Sequence, residues 1–317
     1  MDFSDANTVE KSAKRRKPVK IGRVIFIISF LIIPTLHFAV FYVYVNLNSF
    51  TMAFQLNKGG KVYWTLENFQ RFFKEIATNG SDLGTAFKNT FITFIIHQIM
   101  FLVSFMVSYF LYKKIFLYKF FRVCFFLPSL IAGTVINSIF MQLVGVNGPV
   151  SAIVQNIAGL DYRPDLLANS SYANPTIWLN IIWLSFPANM VLFGGAFGRI
   201  PEAVIESARL DGVNWLQETF RIIVPMVWPT VGLLLMLNIA GIFGSTGNVF
   251  LLTKGDYGTN TLANWMYMQV YKLTGDPSQS NAFNYMSAVG MFLTAISVTL
   301  ALTLRKLSSK IFDEVQY

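Results

Sequence analysis

Apolar residues along the chain fall into long runs separated by shorter polar stretches. Six of these runs, 24–45, 90–111, 121–144, 176–197, 227–250 and 286–304, are long enough to cross hydrocarbon as helices, because a bilayer core takes about 20 helical residues. Pro34 is expected to kink the first run and Pro187 to break the fourth. The polar stretches alternate in charge. Lys11, Lys14, Arg15, Arg16, Lys17 and Lys20 precede the first run; Lys113, Lys114, Lys119 and Arg122 follow the second; Arg305, Lys306 and Lys310 follow the last. The stretches 46–87, 145–175 and 251–284 are read as loops on the other side, with no such basic bias. Basic loops stay in the cytoplasm, so both termini are expected there, with the first run retained as a helix rather than cleaved.

One polar stretch differs from the others. Residues 201–225 carry Glu202, Glu206, Arg209, Asp211, Glu218 and Arg221 between two apolar runs, and such charges belong outside the hydrocarbon. The stretch nevertheless reads as ordered. Pro201 suits a helix start, and Ala203 and Ser207 fall four apart on one side. Glu202, Glu206 and Arg209 share another face, and Asp211-Gly212 stops the helix because glycine accepts the left-handed conformation. A second short helix carrying Trp215, Leu216, Phe220 and Ile223 leads to Pro225. A helix-turn-helix at a membrane surface is a shape that a soluble partner can push.

Composition sharpens the class. The chain is 54% hydrophobic and 13% charged, against about a quarter charged in soluble domains. Its net charge of +9 sits at the ends of apolar runs, which is a topology signal and not a nucleic-acid footprint. Cys124 is the single cysteine, so an intrachain disulfide and a cysteine metal cluster are excluded. The chain has no phosphate-binding glycine loop, no HExxH zinc pattern and no nucleophile elbow. His37 and His97 lie in different runs and read as residues hydrogen-bonded within a helix bundle. No catalytic residue and no metal site is assigned.

Glu206-Ser207-Ala208, Gly212 after three further residues, and Ile222, Val224 and Pro225 beyond it resemble the EAA loop of binding-protein-dependent ABC importers. The family pattern has alanine where Ser207 stands and leucine where Val224 stands. Leu66-Glu67-Asn68-Phe69, Lys88-Asn89-Thr90, and Arg122 before Leu127-Pro128 resemble further signposts of the same permeases. Lys254-Gly255-Asp256 departs from the Gly-Gly-Pro that many members carry there. The resemblance is to sugar-type permeases such as the maltose and glycerol-phosphate systems.

The resemblance implies an all-α polytopic membrane protein with six transmembrane helices and the type I importer permease fold. It implies a cytoplasmic tail 1–20, a first helix and outer loop 21–89, a core 90–304 with coupling loop 199–225, and a tail 305–317. It also implies a bacterial plasma (inner) membrane location, a second and distinct permease subunit, two ATPase subunits that bind the ATP and magnesium, and an extracytoplasmic solute-binding protein. The chain itself would bind no cofactor. In the coupling loop the resemblance gives Glu206, Ser207, Ala208, Arg209, Asp211, Gly212 and Pro225 roles in ATPase coupling, with Gly212 as the corner.

Polar and aromatic residues inside apolar runs mark a substrate pathway: Trp183, Phe186 and Asn189 in the fourth run, Asn238, Gly241 and Ser245 in the fifth. Amides take sugar hydroxyls and aromatic faces take sugar C–H faces. Relative to Val224-Pro225, Asn238, Gly241 and Ser245 resemble positions that line the sugar site in maltose-type permeases. Helix packing is the competing reading at each of these positions. The expected function is uptake of a sugar, an oligosaccharide in particular. The alternatives are the same machinery moving another solute such as a glycerol-phosphate ester, and a membrane scaffold or sensor that transports nothing.

Overall fold

The computed structural model describes residues 21–78, 80–244, 248–273 and 280–311. The chain divides into two compact units, Met1–Thr51 and Met52–Tyr317. In the first, α1 (Ile21–Phe38) passes through a π-helical stretch (Ala39–Tyr44) into α2 (Val45–Ala53). The helix outlasts the predicted run 24–45 because its polar residues turn back onto their own backbone. Asn46 donates to the Tyr42 carbonyl at 2.6 Å and Thr51 to the Asn48 carbonyl at 2.8 Å, so neither side chain needs water. Side chains from Ile25 to Asn48 are exposed and mostly apolar, as a surface facing lipid requires.

The second unit opens with a hairpin, β1 (Gln55–Lys58) and β2 (Lys61–Trp64), antiparallel with Gln55 opposite Trp64. Helices follow: α3 (Glu67–Ala77), α4 (Asp82–Tyr112), α5 (Tyr118–Leu130), α6 (Gly133–Val144), α7 (Pro149–Ala158) and α8 (Ala173–Phe197). Next come α9 (Glu202–Leu210), α10 (Trp215–Gln217), a π-helical stretch (Glu218–Ile223), α11 (Val224–Ala240), α12 (Val249–Leu252), α13 (Leu262–Leu273) and α14 (Ser280–Ile311). Among the described residues, six helical segments are long and apolar enough to cross a membrane: Ile25–Ala53, Asp82–Tyr112, Gly133–Ala158, Ala173–Phe197, Trp215–Ala240 and Asn281–Ser308. The protein is a polytopic, almost wholly helical membrane protein.

Several expectations change. Residues 46–87 are not a loop, since they hold α2, the hairpin, α3 and the first turn of α4. The predicted third span, 121–144, is two helices parted at Ile131 and Ala132. Pro128 near the end of α5 and Gly133 at the start of α6 both weaken continuity there. The third apolar segment is instead Gly133–Ala158. The fourth span is unbroken, with Pro187 buried inside α8. The fifth ends at Ala240, not at 250, because Gly241 and Gly244 open a turn in a sequence that is apolar yet glycine-rich. Residues 251–284 contain α13.

The main core joins α4 to α8 through aromatic edges. Phe193 meets Phe101 and Phe105 at 5.0 and 5.2 Å, and Phe197 meets Phe105 at 5.2 Å. Gly194 and Gly195 of α8 are exposed and take no part in this core. Buried amides do the remaining joining. Asn180 of α8 donates to Asn137 of α6 at 3.2 Å and accepts from Asn248 at 3.0 Å. Asn89 of α4 donates to the carbonyls of Gly258 and Asn260 at 2.8 and 2.9 Å, and Asn68 of α3 to those of Ala53 and Gln55 at 3.0 Å each.

These bonds hold irregular backbone to the helices. The turn before α13 is the clearest case: Lys254, Gly255, Tyr257 and Gly258 all have positive φ. At Gly255, φ is +94° and an added Cβ would stand 2.4 Å from Asn260 Oδ1, so that turn depends on glycine.

Asn180→Leu tests the amide chain, because it strands Asn137 Oδ1 and Asn248 Nδ2 in the interior. Thermal unfolding of the purified protein in detergent should register a loss of about 1–3 kcal/mol. Thr294→Val, which removes an exposed hydroxyl bonded only to its own helix, should change stability by less than about 0.5 kcal/mol.

Candidate coupling surface and membrane cavity

The stretch 201–225 folds as a helix, a tight corner and a second helix. In α9, Ile205 and Ala208 are 5% and 4% exposed and turn inward. Ile205 joins the core cluster of Tyr109, Phe197 and Ile223. Glu202, Ala203, Glu206 and Ser207 are exposed, and the Ser207 hydroxyl is bonded to its own helix at the Val204 carbonyl. Arg209 lies on α9, its side chain outside the described residues. Asp211 and Gly212 form the corner, where Val213 N–H reaches back to the Ala208 carbonyl at 3.2 Å. That bond is the six-to-one closure of a helix ended by a left-handed residue, and Gly212 supplies that residue with φ of +70°.

Beyond the corner the chain restarts under a capping box: Gln217 N–H donates to Asn214 Oδ1 at 2.9 Å, and Asn214 N–H to Gln217 Oε1 at 3.2 Å. The second helix does not stop at Pro225. It runs from α10 through the π-helical stretch into α11, so that Trp215–Ala240 is one helical segment. Pro225 falls at the start of α11, directly after the π-helical stretch and inside the continuous segment. Apolar side chains surround the corner in the open: Leu210 is 89% exposed and Phe220 57%, with Trp215 and Leu216 also exposed. Glu218 behaves unlike the other charges of the stretch, being 3% exposed and paired with Lys113.

At the other end of that helical segment lies a cavity of about 240 Å³ between α4 and α11. Asn238 and Gly241 line it, as do Thr90, Thr93, His97 and Gln98. Sequence reasoning placed His97 in helix packing and did not single out Gln98. His97 Nδ1 is 2.9 Å from the Thr93 carbonyl, and that bond orients the ring. Gln98 Oε1 is buried without a hydrogen-bond partner. The lining is amide, imidazole and hydroxyl between apolar walls, and among the described lining residues there is neither a lysine, an arginine nor a carboxylate.

The other pathway candidates do not gather there. Trp183 packs beside Phe140 at 6.0 Å, and Phe186 stacks on Phe125 of α5 at 5.5 Å and 18°. Asn189 donates to the Ser185 carbonyl of its own helix at 3.3 Å. Ser245 lies outside the described residues. Two of the six candidates thus share the cavity, joined by Thr90 of the Lys88-Asn89-Thr90 signpost and by Thr93, His97 and Gln98 of α4, which belong to no motif.

No family model matches the chain. Its curated relatives are transport permeases. The chain is 27% identical over 197 residues to the probable ABC transporter permease protein YesP of Bacillus subtilis, covering 60% of either chain. It is 24% identical over 191 residues to the multiple sugar-binding transport system permease protein MsmF of Streptococcus mutans, covering 60% of this chain and 63% of that one. With the polygalacturonan/rhamnogalacturonan transport system permease protein YteP of Bacillus subtilis it is 23% identical over 323 residues, covering 99% and 97%. The matched stretch therefore spans less than two thirds of the first two relatives and nearly all of the third.

Among solved structures, a chain of a bacterial alginate ABC transporter, in complex with an alginate pentasaccharide-bound periplasmic protein, superposes with a TM-score of 0.69 at 21% identity. That match covers 92% of this chain and 96% of the other. A second bacterial ABC transporter structure, involved in import of the acidic polysaccharide alginate, gives a TM-score of 0.71 at 18% identity. The chain has the fold of the membrane chains of ABC importers, and its sequence relatives are permease proteins.

Proposed function

We propose that the chain is a membrane permease subunit of an ATP-driven, binding-protein-dependent importer of carbohydrates, with oligosaccharides as the substrate class. The observation that carries this reading is the single helical segment Trp215–Ala240, which begins three residues after the Gly212 corner and ends at the cavity lined by Asn238. Such a helix converts a push at the membrane surface into a movement of the cavity wall. The exposed Leu210, Trp215, Leu216 and Phe220 around the corner are the apolar contact that a soluble ATPase subunit would cover.

In this reading Glu206, Ser207, Arg209 and Asp211 face the ATPase, while Ala208 seats α9 on the core and Pro225 starts the transmembrane part of the lever. ATP and magnesium sit on the two ATPase subunits. A second permease completes the pathway, and an extracytoplasmic solute-binding protein delivers the sugar. The chain lies in a bacterial plasma membrane with both termini cytoplasmic. Closure of the ATPases moves the corner, and the cavity opens to one side and then the other.

The lining supports a polyhydroxylated substrate over a glycerol-phosphate ester. Asn238 and Gln98 offer donors and acceptors, and no lysine or arginine among the described lining residues would balance a phosphate. Several relatives and both structural neighbours are named for saccharides, some of them acidic.

The test is ATP hydrolysis by the complex reconstituted in lipid with its binding protein, over neutral and uronic oligosaccharides. Saccharide stimulation is expected in the wild type. Gly212→Pro, which forces φ away from +70°, should cut stimulation on the order of tenfold or more. A scaffold or sensor would show no saccharide stimulation and no effect of that substitution.

Uptake kinetics test the cavity separately. Asn238→Ala should raise the KM for transport about tenfold with little change in basal hydrolysis, which is the loss of one hydrogen bond of about 1.4 kcal/mol. An unchanged KM would place the substrate elsewhere.

A further inference from the structure

Lys113 is the C-cap residue of α4, and Glu218 opens the π-helical stretch that leads into α11. The Lys113 ammonium donates to both carboxylate oxygens of Glu218, at 2.7 Å to Oε1 and 2.6 Å to Oε2. Glu218 is 3% exposed, and the Lys113 side chain is 21% exposed. Two aromatic contacts surround the pair. The Lys113 ammonium stands 5.7 Å from the ring centroid of fully buried Tyr109, and Phe110 of α4 meets Trp215 of α10 at 5.7 Å. Two further ion pairs, Lys58–Glu67 and Arg71–Glu75, are partly or largely exposed and lie within or beside one helix or hairpin.

A buried ion pair is an inefficient way to add stability, because desolvating both charges offsets most of their attraction, and apolar residues of like size often do better. What such a pair does well is fix one register. This pair joins the same two helices that line the cavity. Thr93, His97 and Gln98 lie on α4, Asn238 on α11. At 1.5 Å per residue the clasp stands roughly 22 Å along α4 from Gln98 and roughly 30 Å along the other helix from Asn238. The π-helical stretch that Glu218 opens is a place where a helix can change its hydrogen-bond phase.

We propose that Lys113 and Glu218 are positioning residues for coupling. Resting on the permease reading above, their clasp makes α4 move with the corner at Gly212, so that both walls of the cavity respond to one push. Without it the push would travel along Trp215–Ala240 alone and leave α4 behind, and hydrolysis would run with less sugar moved per ATP.

The experiment uses the reconstituted complex and reads two quantities, ATP consumed per saccharide imported and thermal stability. Lys113→Met leaves a buried carboxylate unpaired, and it should lower the melting temperature by about 10 °C and raise the ATP-to-sugar ratio about fivefold or more. Lys113→Arg keeps the charge and should retain coupling. The decisive variant is Lys113→Met with Glu218→Gln. Removing both charges should restore the melting temperature while the ratio stays high. A ratio that returns to wild type with stability would make the pair structural only and overturn the proposal.

Hydrogen exchange over residues 214–223 in the full chain gives a reading that needs no substrate. Faster exchange in the neutral double variant supports the clasp, and unchanged exchange overturns it. A wild type that no saccharide stimulates would instead count against the import reading, and the exchange result would still decide the clasp.

Discussion

Backbone that crosses hydrocarbon has no water to bond with, and this constraint decides the architecture of the chain. Trp215–Ala240 satisfies it in the simplest way, with its backbone bonded within one continuous helical segment that includes a π-helical stretch. The consequence is geometric as well as energetic. The segment begins three residues after the Gly212 corner and ends at the cavity lined by Asn238, so one helix spans from the one to the other. The same constraint explains why Pro225 and Pro229 stay within that helix, and why α8 carries Pro187 without ending.

Where the chain leaves helical geometry, asparagine side chains hold the backbone carbonyls or tie the turn to a neighbouring helix. The break between α5 and α6 at Ile131 and Ala132 lies just before Gly133, whose carbonyl accepts from the Asn137 amide at 2.7 Å, and Asn137 is held in turn by Asn180. The turn after α11 is tied to the same chain through Asn248, a residue in the left-handed region. The turn into α13 hangs on Asn89, on Asn174 and on Thr90, whose hydroxyl accepts from Leu262 N–H at 2.8 Å. The hairpin is fixed to the start of α14 by paired bonds between Asn57 and Asn281 at 2.6 and 2.7 Å. A carboxamide suits these places because it is neutral and both donates and accepts, so it can meet a stray carbonyl without importing a charge.

This division accounts for what could be read from the sequence and what could not. Apolar runs reveal spans because burying them in lipid needs no partner, and Gly212 reveals a corner because its conformation is local. The run at 241–250 misled because apolar composition says nothing of backbone phase, and its glycines outweighed it. The outer helices α3 and α13 escaped because their residues mix polar and apolar character, and tertiary contacts decide them. Asn68 and Asn89 stood out in the sequence as parts of short patterns, and the structure shows each holding backbone carbonyls of another segment. His97 was legible only as a hydrogen-bonded residue of the bundle, and neither Gln98 nor the pairing of Lys113 with Glu218 gave a local signal. The pair is separated by 105 positions, and only the packing of α4 against the stretch beyond the corner brings it together.

The coupling stretch also shows why a spacing pattern mixes residues of different kinds. Of Glu206, Ser207 and Ala208, consecutive in sequence, two are exposed and the third is buried against the core with Ile205. On a helix, neighbours in sequence point about 100° apart, so three adjacent residues cannot share one task. Ala208 is small because α9 must lie close to the core, and Ile205 one turn earlier anchors it there. The exposed pair is free to meet something outside the chain, and so is Leu210, which no pattern names and which is 89% exposed. A leucine that open, beside a glycine corner and at the end of a helix seated by alanine, has no role within this chain. The stretch therefore has two layers, an inner one seated on the core and an outer one left exposed, and under the proposed coupling role substitutions in the two layers should separate loss of folding from loss of coupling.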